Sequence, residues 1–290
     1  MDKSKKKKLY SDSFRHKFQA VWGVVTNSFI TGFLKGKIYT GKLKYFCVPG
    51  LNCYSCPGAL GSCPIGALQA VFGSGSHKFA FYVIGFLMFV GAVCGRFVCG
   101  WLCPFGLIQD LIHKIPFFKK IKTFKGDKIL RYLKYVILAL FVIILPMFAL
   151  DEYKMSDPWF CKYICPAGTL EGGLPLAVLN EGIRASIGWL YAYKVVILVV
   201  LVIVSLIIYR PFCKYICPLG AIYSAFNKIS VFKLRCDESK CVSCGKCARV
   251  CKMNVDPTKI PDSTECIRCG KCVSECPVDA LQIAVKNKCE

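Results

Sequence analysis

The chain of 290 residues is 55% hydrophobic, carries 39 Lys+Arg against 17 Asp+Glu for a net charge of +22, and has a positive mean hydropathy of +0.48. A soluble nucleic-acid binder would explain the charge but not the long uncharged apolar stretches, and a disordered basic tail would lack the 21 Cys and 21 Phe, so no nucleic-acid partner is expected. So many thiols, in a chain too long and apolar for a disulfide-stapled mini-domain, point to bound metal.

Residues 1–17 form a basic N-terminus, and MDKSKKKK is followed by no short apolar core with a small-residue cleavage site, so no removable signal peptide is expected. Uncharged Phe18–Leu34, which includes Thr26, Asn27 and Ser28, reads as a first membrane helix. GSGS at 73–76 reads as a loop. Phe79–Gly95, Tyr135–Leu150 and Val195–Tyr209 are stronger spans, because flanking Lys134, Lys194 and Arg210 can snorkel and lengthen them. The four helices then cover about 18–34, 79–98, 130–150 and 191–209 of a membrane domain spanning 18–230. Gly172–Tyr191 holds Glu181 and Arg184 and reads as an interfacial or re-entrant helix. Basic residues set the orientation: the N-terminus and Arg96–Lys134 hold 16 Lys/Arg and the opposite connections 9, which puts both termini in the cytoplasm of a prokaryotic multi-pass membrane protein.

Three sites repeat one motif, C-x3-C-P-x-G, just beyond a hydrophobic helix: CGWLCPFGLI from Cys99, CKYICPAGTL from Cys161 and CKYICPLGAI from Cys213. Four-residue spacing puts both sulfurs on one face of a turn, and proline is tolerated where the next helix opens. A pair of thiolates is half the ligand set of a cubane, so two motifs must meet. A divergent copy has Cys63-Pro64-Ile65-Gly66 with Ala59 at the partner position, and Cys53 or Cys56 can supply the missing thiolate. The expected sites are an inner one of Cys99, Cys103, Cys213 and Cys217, and an outer one of Cys161, Cys165, Cys63 and either Cys53 or Cys56, at opposite ends of the bundle. Disulfides among Cys47, Cys53, Cys56, Cys63, Cys161 and Cys165, or a self-contained site of Cys47, Cys53, Cys56 and Cys63, are the alternatives outside. Cys94 reads as a small buried hydrophobe.

Residues 231–290 change character. Cys241, Cys244, Cys247 and Cys251 repeat as Cys266, Cys269, Cys272 and Cys276, both spaced C-x2-C-x2-C-x3-C. Three thiolates of each run wrap one cluster and the fourth crosses to the other, which assigns Cys241, Cys244, Cys247 and Cys276 to one and Cys266, Cys269, Cys272 and Cys251 to the second. Two zinc sites are disfavoured, since zinc ribbons use paired C-x2-C knuckles. Cys236 and Cys289 have no matching spacing.

This segment resembles bacterial two-cluster ferredoxins over residues 236–285, departing at Lys252, where the second run has the expected Pro277. From residue 16 onward the chain resembles the NapH/NosR-type membrane 4Fe-4S proteins, with four helices, paired C-x3-C-P motifs and a C-terminal two-cluster ferredoxin domain. The resemblance implies clusters on Cys99, Cys103, Cys213, Cys217 and the eight ferredoxin cysteines, and electron movement between quinols, ferredoxin-like carriers and periplasmic reductases. The Cys53 to Cys63 group and the Cys161/Cys165 motif depart from that pattern.

The expected fold is thus membrane α-helical: a four-helix transmembrane bundle with an internal pseudo-two-fold repeat, plus a small α+β two-cluster ferredoxin domain. The expected function is electron transfer from a soluble cytoplasmic low-potential donor, through [4Fe-4S] clusters in the ferredoxin and membrane domains, to an acceptor at the outer face such as a flavoprotein. Two clusters belong to the ferredoxin and two to the membrane domain. The basic cytoplasmic face attracts acidic donors and anionic membrane lipid. The alternatives are a quinol/quinone oxidoreductase subunit on the cytoplasmic side, with Asp110 and His113 taking up protons, and an iron-sulfur redox maturation factor. The chain reads as an electron-transfer component of an oxidoreductase system, with no catalytic residue of its own.

Overall fold

The computed structural model describes residues 7–74, 80–117, 119–153 and 155–285; the stretch 1–6, part of GSGS and Cys289 lie outside them. Helix α1, Asp12–Thr26, starts where the Ser11 side chain accepts from Phe14 N–H, and ends where Asn27 donates back to Gly23 O. A short helix resumes only at Ile30–Lys35, because Phe29 N–H is diverted to Gly58 O. The continuous helix expected over 18–34 is therefore broken at Asn27–Phe29. At about 22 Å, α1 alone is shorter than a bilayer core.

Helices α2 (Pro64–Phe72), α3 (Ala80–Cys94) and α4 (Pro104–Lys114) follow. Helix α5 covers Asp127–Phe148, with a π-helical stretch at Leu138–Ile144. A helical run, α6, extends over 166–179 and is followed by Glu181–Ala185, in the region expected to be interfacial or re-entrant. Helices α7 (Trp189–Ile207) and α8 (Pro218–Phe226) close the helical part. Among the described residues two helices, α5 and α7, are long and apolar enough to cross a membrane, with mean hydropathies of 2.1 and 2.7. Helix α7 buries Leu198, Leu201 and Ser205 but exposes Val196, Val199, Val200 and Ile203, an apolar belt suited to lipid. Helix α3 is apolar but shorter, and turns sharply at Gly95, whose φ of +52° suits glycine.

The packing is exchanged between the halves. Helix α4 follows α3 in sequence yet lies against α7, and α8 follows α7 yet lies against α3. Strands β1 (Phe232–Cys236) and β2 (Leu281–Val285) pair antiparallel in the register Leu234↔Ile283 and close the C-terminal lobe.

Buried ion pairs hold these pieces together. Asp110 on α4 accepts from Arg210 Nε and Nη2, both at 2.6 Å, and lies 2.8 Å from Arg15 Nη1 on α1. Burial alone would raise its pKa, but Arg210, with help from His16 and Arg15, holds the carboxyl well below the usual carboxylate range. Asp110 is therefore an ionised counter-ion and a poor proton acceptor at neutral pH, contrary to the role considered for it at a quinone site. Asp110→Asn would leave the buried Arg210 guanidinium without a carboxylate and Arg15 with Asp12 alone, and is expected to cost about 3–5 kcal/mol. The check is the unfolding midpoint in detergent, which should drop sharply while surface Glu181→Gln leaves it unchanged.

Candidate iron-sulfur sites

Cys99, Cys103, Cys213 and Cys217 are all buried and converge where the two halves exchange helices. Cys103 and Cys217 are each the N-cap of a Pro-led helix, α4 and α8, so both thiols sit at positive helix ends, and Gly220 N–H donates to Cys217 Sγ at 3.3 Å. Burial first, then Cys213 and Cys99, pushes the Cys103 thiol up; Cys217 rises for the same reasons. Each half clasps the other through an arginine three residues before its first cysteine. Arg96 donates to Cys213 O at 3.0 Å and Arg210 donates to Cys99 O at 2.5 Å.

Cys53, Cys63, Cys161 and Cys165 line a cavity, together with Tyr54, Lys162, Tyr191 and Lys194. Cys56 is not among its lining residues, so of the two alternatives Cys53 is the one that completes this set. Cys63 and Cys165 again cap Pro-led helices, and Gly168 N–H lies 3.5 Å from Cys165 Sγ. Burial pushes Cys53 and Cys161 up to about 12. Burial also pushes the Glu171 carboxyl, which accepts from Cys53 N–H at 2.8 Å, up to about 7. All twenty described cysteines are free, so the disulfide alternative is not realised among them.

One device occurs at both sets. Gln109 Nε2 donates to Cys213 Sγ at 3.3 Å while its Oε1 accepts from Phe212 N–H at 3.2 Å. Gln69 Nε2 donates to Cys161 Sγ at 3.2 Å while its Oε1 accepts from Phe160 N–H at 2.8 Å. Each glutamine stands six residues after a Cys-Pro cysteine and reaches the other half's first cysteine. Sequence reading missed Gln69, Gln109 and Arg96, and took Arg210 and Lys134 for snorkelling flanks, whereas both are fully buried in ion pairs. The signals were present as C-P-x-G-x-x-Q at 63 and 103 and R-x-x-C-x3-C-P at 96 and 210.

The donor sets fit iron-sulfur clusters. A Cβ on Gly168 would stand 3.6 Å from Cys53 Sγ and 3.9 Å from Cys165 Sγ, so glycine keeps the space beside two sulfurs open. Among the described residues no group of three ligands closes on a single-ion site. A cubane spreads its irons and takes sulfurs set wider apart. Raised thiol pKa values mean that the thiols lose their protons on binding metal.

In the C-terminal lobe, Cys241, Cys244, Cys247 and Cys276 line one cavity, and Cys251, Cys266, Cys269 and Cys272 another, so the fourth cysteine of each run crosses over. Left-handed residues recur at matching places: Ser243 and Gly245 in the first run, Arg268 and Gly270 in the second. Cys236 lines the first cavity and Cys244 is exposed. Lys252, in the place of the expected proline, pairs with Asp12 at 3.1 Å.

The second of these sets docks on the inner membrane set. Trp101 Nε1, between Cys99 and Cys103 in sequence, donates to Arg268 O at 3.0 Å, and a Cβ on Gly100 would collide with Ile267 O. Asn227 Nδ2 donates to Cys266 O at 2.9 Å. Arg96, already bonded to Cys213 O, also donates to Glu265 Oε2 at 3.0 Å, one residue before Cys266. Lys134 on α5 takes the other Glu265 oxygen.

The inner and outer sets are closer than opposite ends of a bundle would be. Gln19 Nε2 donates to Cys103 O, and seven residues on, Thr26 O accepts from Leu60 N–H in the loop carrying Cys63. That is about 10 Å of rise along α1. Tyr223 lies between them, fully buried and raised by burial and by Cys99, Cys63 and Cys103, with its hydroxyl donating to Pro49 O at 2.9 Å.

A family model described as a 4Fe-4S binding domain matches residues 77–125, 134–174 and 194–236, and a second 4Fe-4S binding domain model matches 259–282. An uncharacterized protein of Methanocaldococcus jannaschii is 32% identical over 177 residues, 58% of this chain and 55% of that protein. The putative electron transport protein YccM of Escherichia coli is 28% identical over 192 residues, 64% of this chain and 48% of its own length. The ferredoxin-type protein NapH of Haemophilus influenzae is 25% identical over 166 residues, 57% of this chain and 50% of that protein. The chain thus spans about half the length of these relatives. No solved structure matches it. Motifs, family matches and named relatives agree that the chain is a 4Fe-4S protein similar to the NapH and NosR type.

Proposed function

We propose that this protein conducts electrons across a membrane through four [4Fe-4S] clusters. Cys241, Cys244, Cys247 and Cys276 hold the first, Cys251, Cys266, Cys269 and Cys272 the second, Cys99, Cys103, Cys213 and Cys217 the third, and Cys53, Cys63, Cys161 and Cys165 the fourth. Each cluster supplies a one-electron site; the protein supplies the spacing and the polar surroundings. A soluble low-potential cytoplasmic donor meets the first set, where Cys244 is exposed, and is oxidised there. An acceptor on the other side, such as a flavoprotein, is reduced at the fourth. The basic surface favours acidic donors and anionic lipid.

The observation that carries this reading is the repeated glutamine device, Gln109 to Cys213 and Gln69 to Cys161. It gives the outer set the same construction as the inner one, beyond a shared cysteine count. An N–H aimed at a ligand sulfur favours the thiolate and raises a cluster's potential.

The exchanged packing of α4 on α7 and α8 on α3 supports a two-fold duplication within a four-segment membrane domain built on α1, α3, α5 and α7. The break after Thr26 leaves the first crossing to α1 and the chain that follows it. Tyr10 against Gly270 and Lys252 against Asp12 bring the N-terminus to the ferredoxin lobe, which supports both termini in the cytoplasm.

After anaerobic purification the protein is expected to hold about sixteen irons and as many acid-labile sulfides. Cys161→Ser with Cys165→Ser should lower this to about twelve, and an unchanged count would remove the outer cluster from the proposal. In sealed vesicles with a reductant inside, the unaltered protein should reduce a membrane-impermeant dye outside, and the same double variant should slow this by at least about tenfold. Equal rates would take the outer cluster off the electron path, and no dye reduction by the unaltered protein would indicate electron flow confined to the cytoplasmic side.

A further inference from the structure

The chain between Cys47 and Cys63 folds back into the helices, and Leu51–Cys53 passes between the inner and outer thiol sets. Leu51 and Cys53 line the outer cavity, and Asn52 between them does not. The neighbouring Gly50 packs on the inner set: a Cβ there would stand 3.0 Å from Leu102 O and 3.2 Å from Cys103 Cα. Asn52 is thus buried beside Gly50, away from the lining of the outer cavity.

Asn52 is buried, and neither its Oδ1 nor its Nδ2 has a hydrogen-bond partner within the protein. An unpaired amide is costly in such a place, and the position calls for a partner that the chain itself does not supply. The backbone on either side of it addresses both sets. Leu51 N–H faces the Cys103 thiol and Asn52 N–H faces the Cys63 thiol. Adjacent residues are 3.8 Å apart, so these two sulfurs are separated by a distance on the order of 10 Å.

We propose that the Asn52 carboxamide donates a hydrogen bond to a sulfur of the inner cluster, and that the peptide joining Leu51 to Asn52 is the bridge across which the inner and outer clusters exchange electrons. This rests on the four-cluster reading above. In the step, one electron leaves the reduced inner cluster and enters the oxidised outer one, with no bond made or broken. The Nδ2–H donor stabilises the reduced, more negative cluster and so raises its potential.

The test is a redox titration of the full-length protein followed by EPR, with the inner signal identified as the one that Cys213→Ser perturbs and the outer as the one that Cys161→Ser perturbs. Asn52→Leu keeps the volume and removes the donor; it should lower the inner midpoint alone, by about tenfold in the reduction equilibrium or about 59 mV. Asn52→Gln keeps a donor and should restore most of that shift. Should the Leu variant lose iron, Asn52→Ala, which also lacks a donor, takes its place in the same comparison. Four unmoved midpoints, a shift in the outer signal instead, or equal shifts for Leu and Gln would overturn the assignment while leaving four clusters standing. A missing fourth cluster in the unaltered protein would overturn both readings.

Discussion

Two cysteines on one turn of helix make half a ligand set, and the fold is organised by the need to bring each half to its complement. The chain meets this by exchange: α4 leaves the first half to lie on α7, and α8 leaves the second to lie on α3. The Arg96 and Arg210 clasps, each on the carbonyl of the other half's first cysteine, lock the exchange in place. Neither half could build the inner set alone. The buried arginines in turn need counter-charges, which ties Asp110 on α4 and Glu265 in the ferredoxin lobe to the same junction.

That junction is where structure and proposed function meet. Arg96 touches both Cys213 O and Glu265, beside Cys266, so one side chain spans an inner-set cysteine and the neighbour of a ferredoxin-lobe cysteine. Trp101 and Asn227 fix the same contact by bonding to backbone carbonyls of the ligand loop. A tunnelling path depends exponentially on distance, and a docking surface built from buried, hydrogen-bonded groups holds such a distance better than a mobile tether does. The outer cavity differs in character: Tyr54, Lys162, Tyr191 and Lys194 give it a polar, partly cationic rim.

Some of this was legible in the residues alone. The C-x2-C-x2-C-x3-C runs announce 4Fe-4S binding, and the crossed grouping expected from their spacing is the one in which the eight cysteines line two cavities. The C-x3-C-P repeats mark pairs at helix junctions for an equally local reason. The glutamine and arginine partners were also written in the chain, at fixed offsets from the cysteines, but their meaning depends on a contact with the opposite half. Helix α1 was overextended because an uncharged stretch does not reveal that Gly58 O, 29 residues away, will capture Phe29 N–H.

The sequence by itself determined the cofactor chemistry, the pairing of halves and the apolar segments, since each depends on spacing within a few residues of chain. Only the tertiary structure decided that Cys53 rather than Cys56 faces the outer cavity, that Asp110 is neutralised by arginines, and that the Cys47–Cys63 loop folds inward between the two thiol sets. These outcomes depend on which distant groups share a buried volume. Local spacing cannot encode that; packing and the pairing of buried charge and hydrogen bonds can.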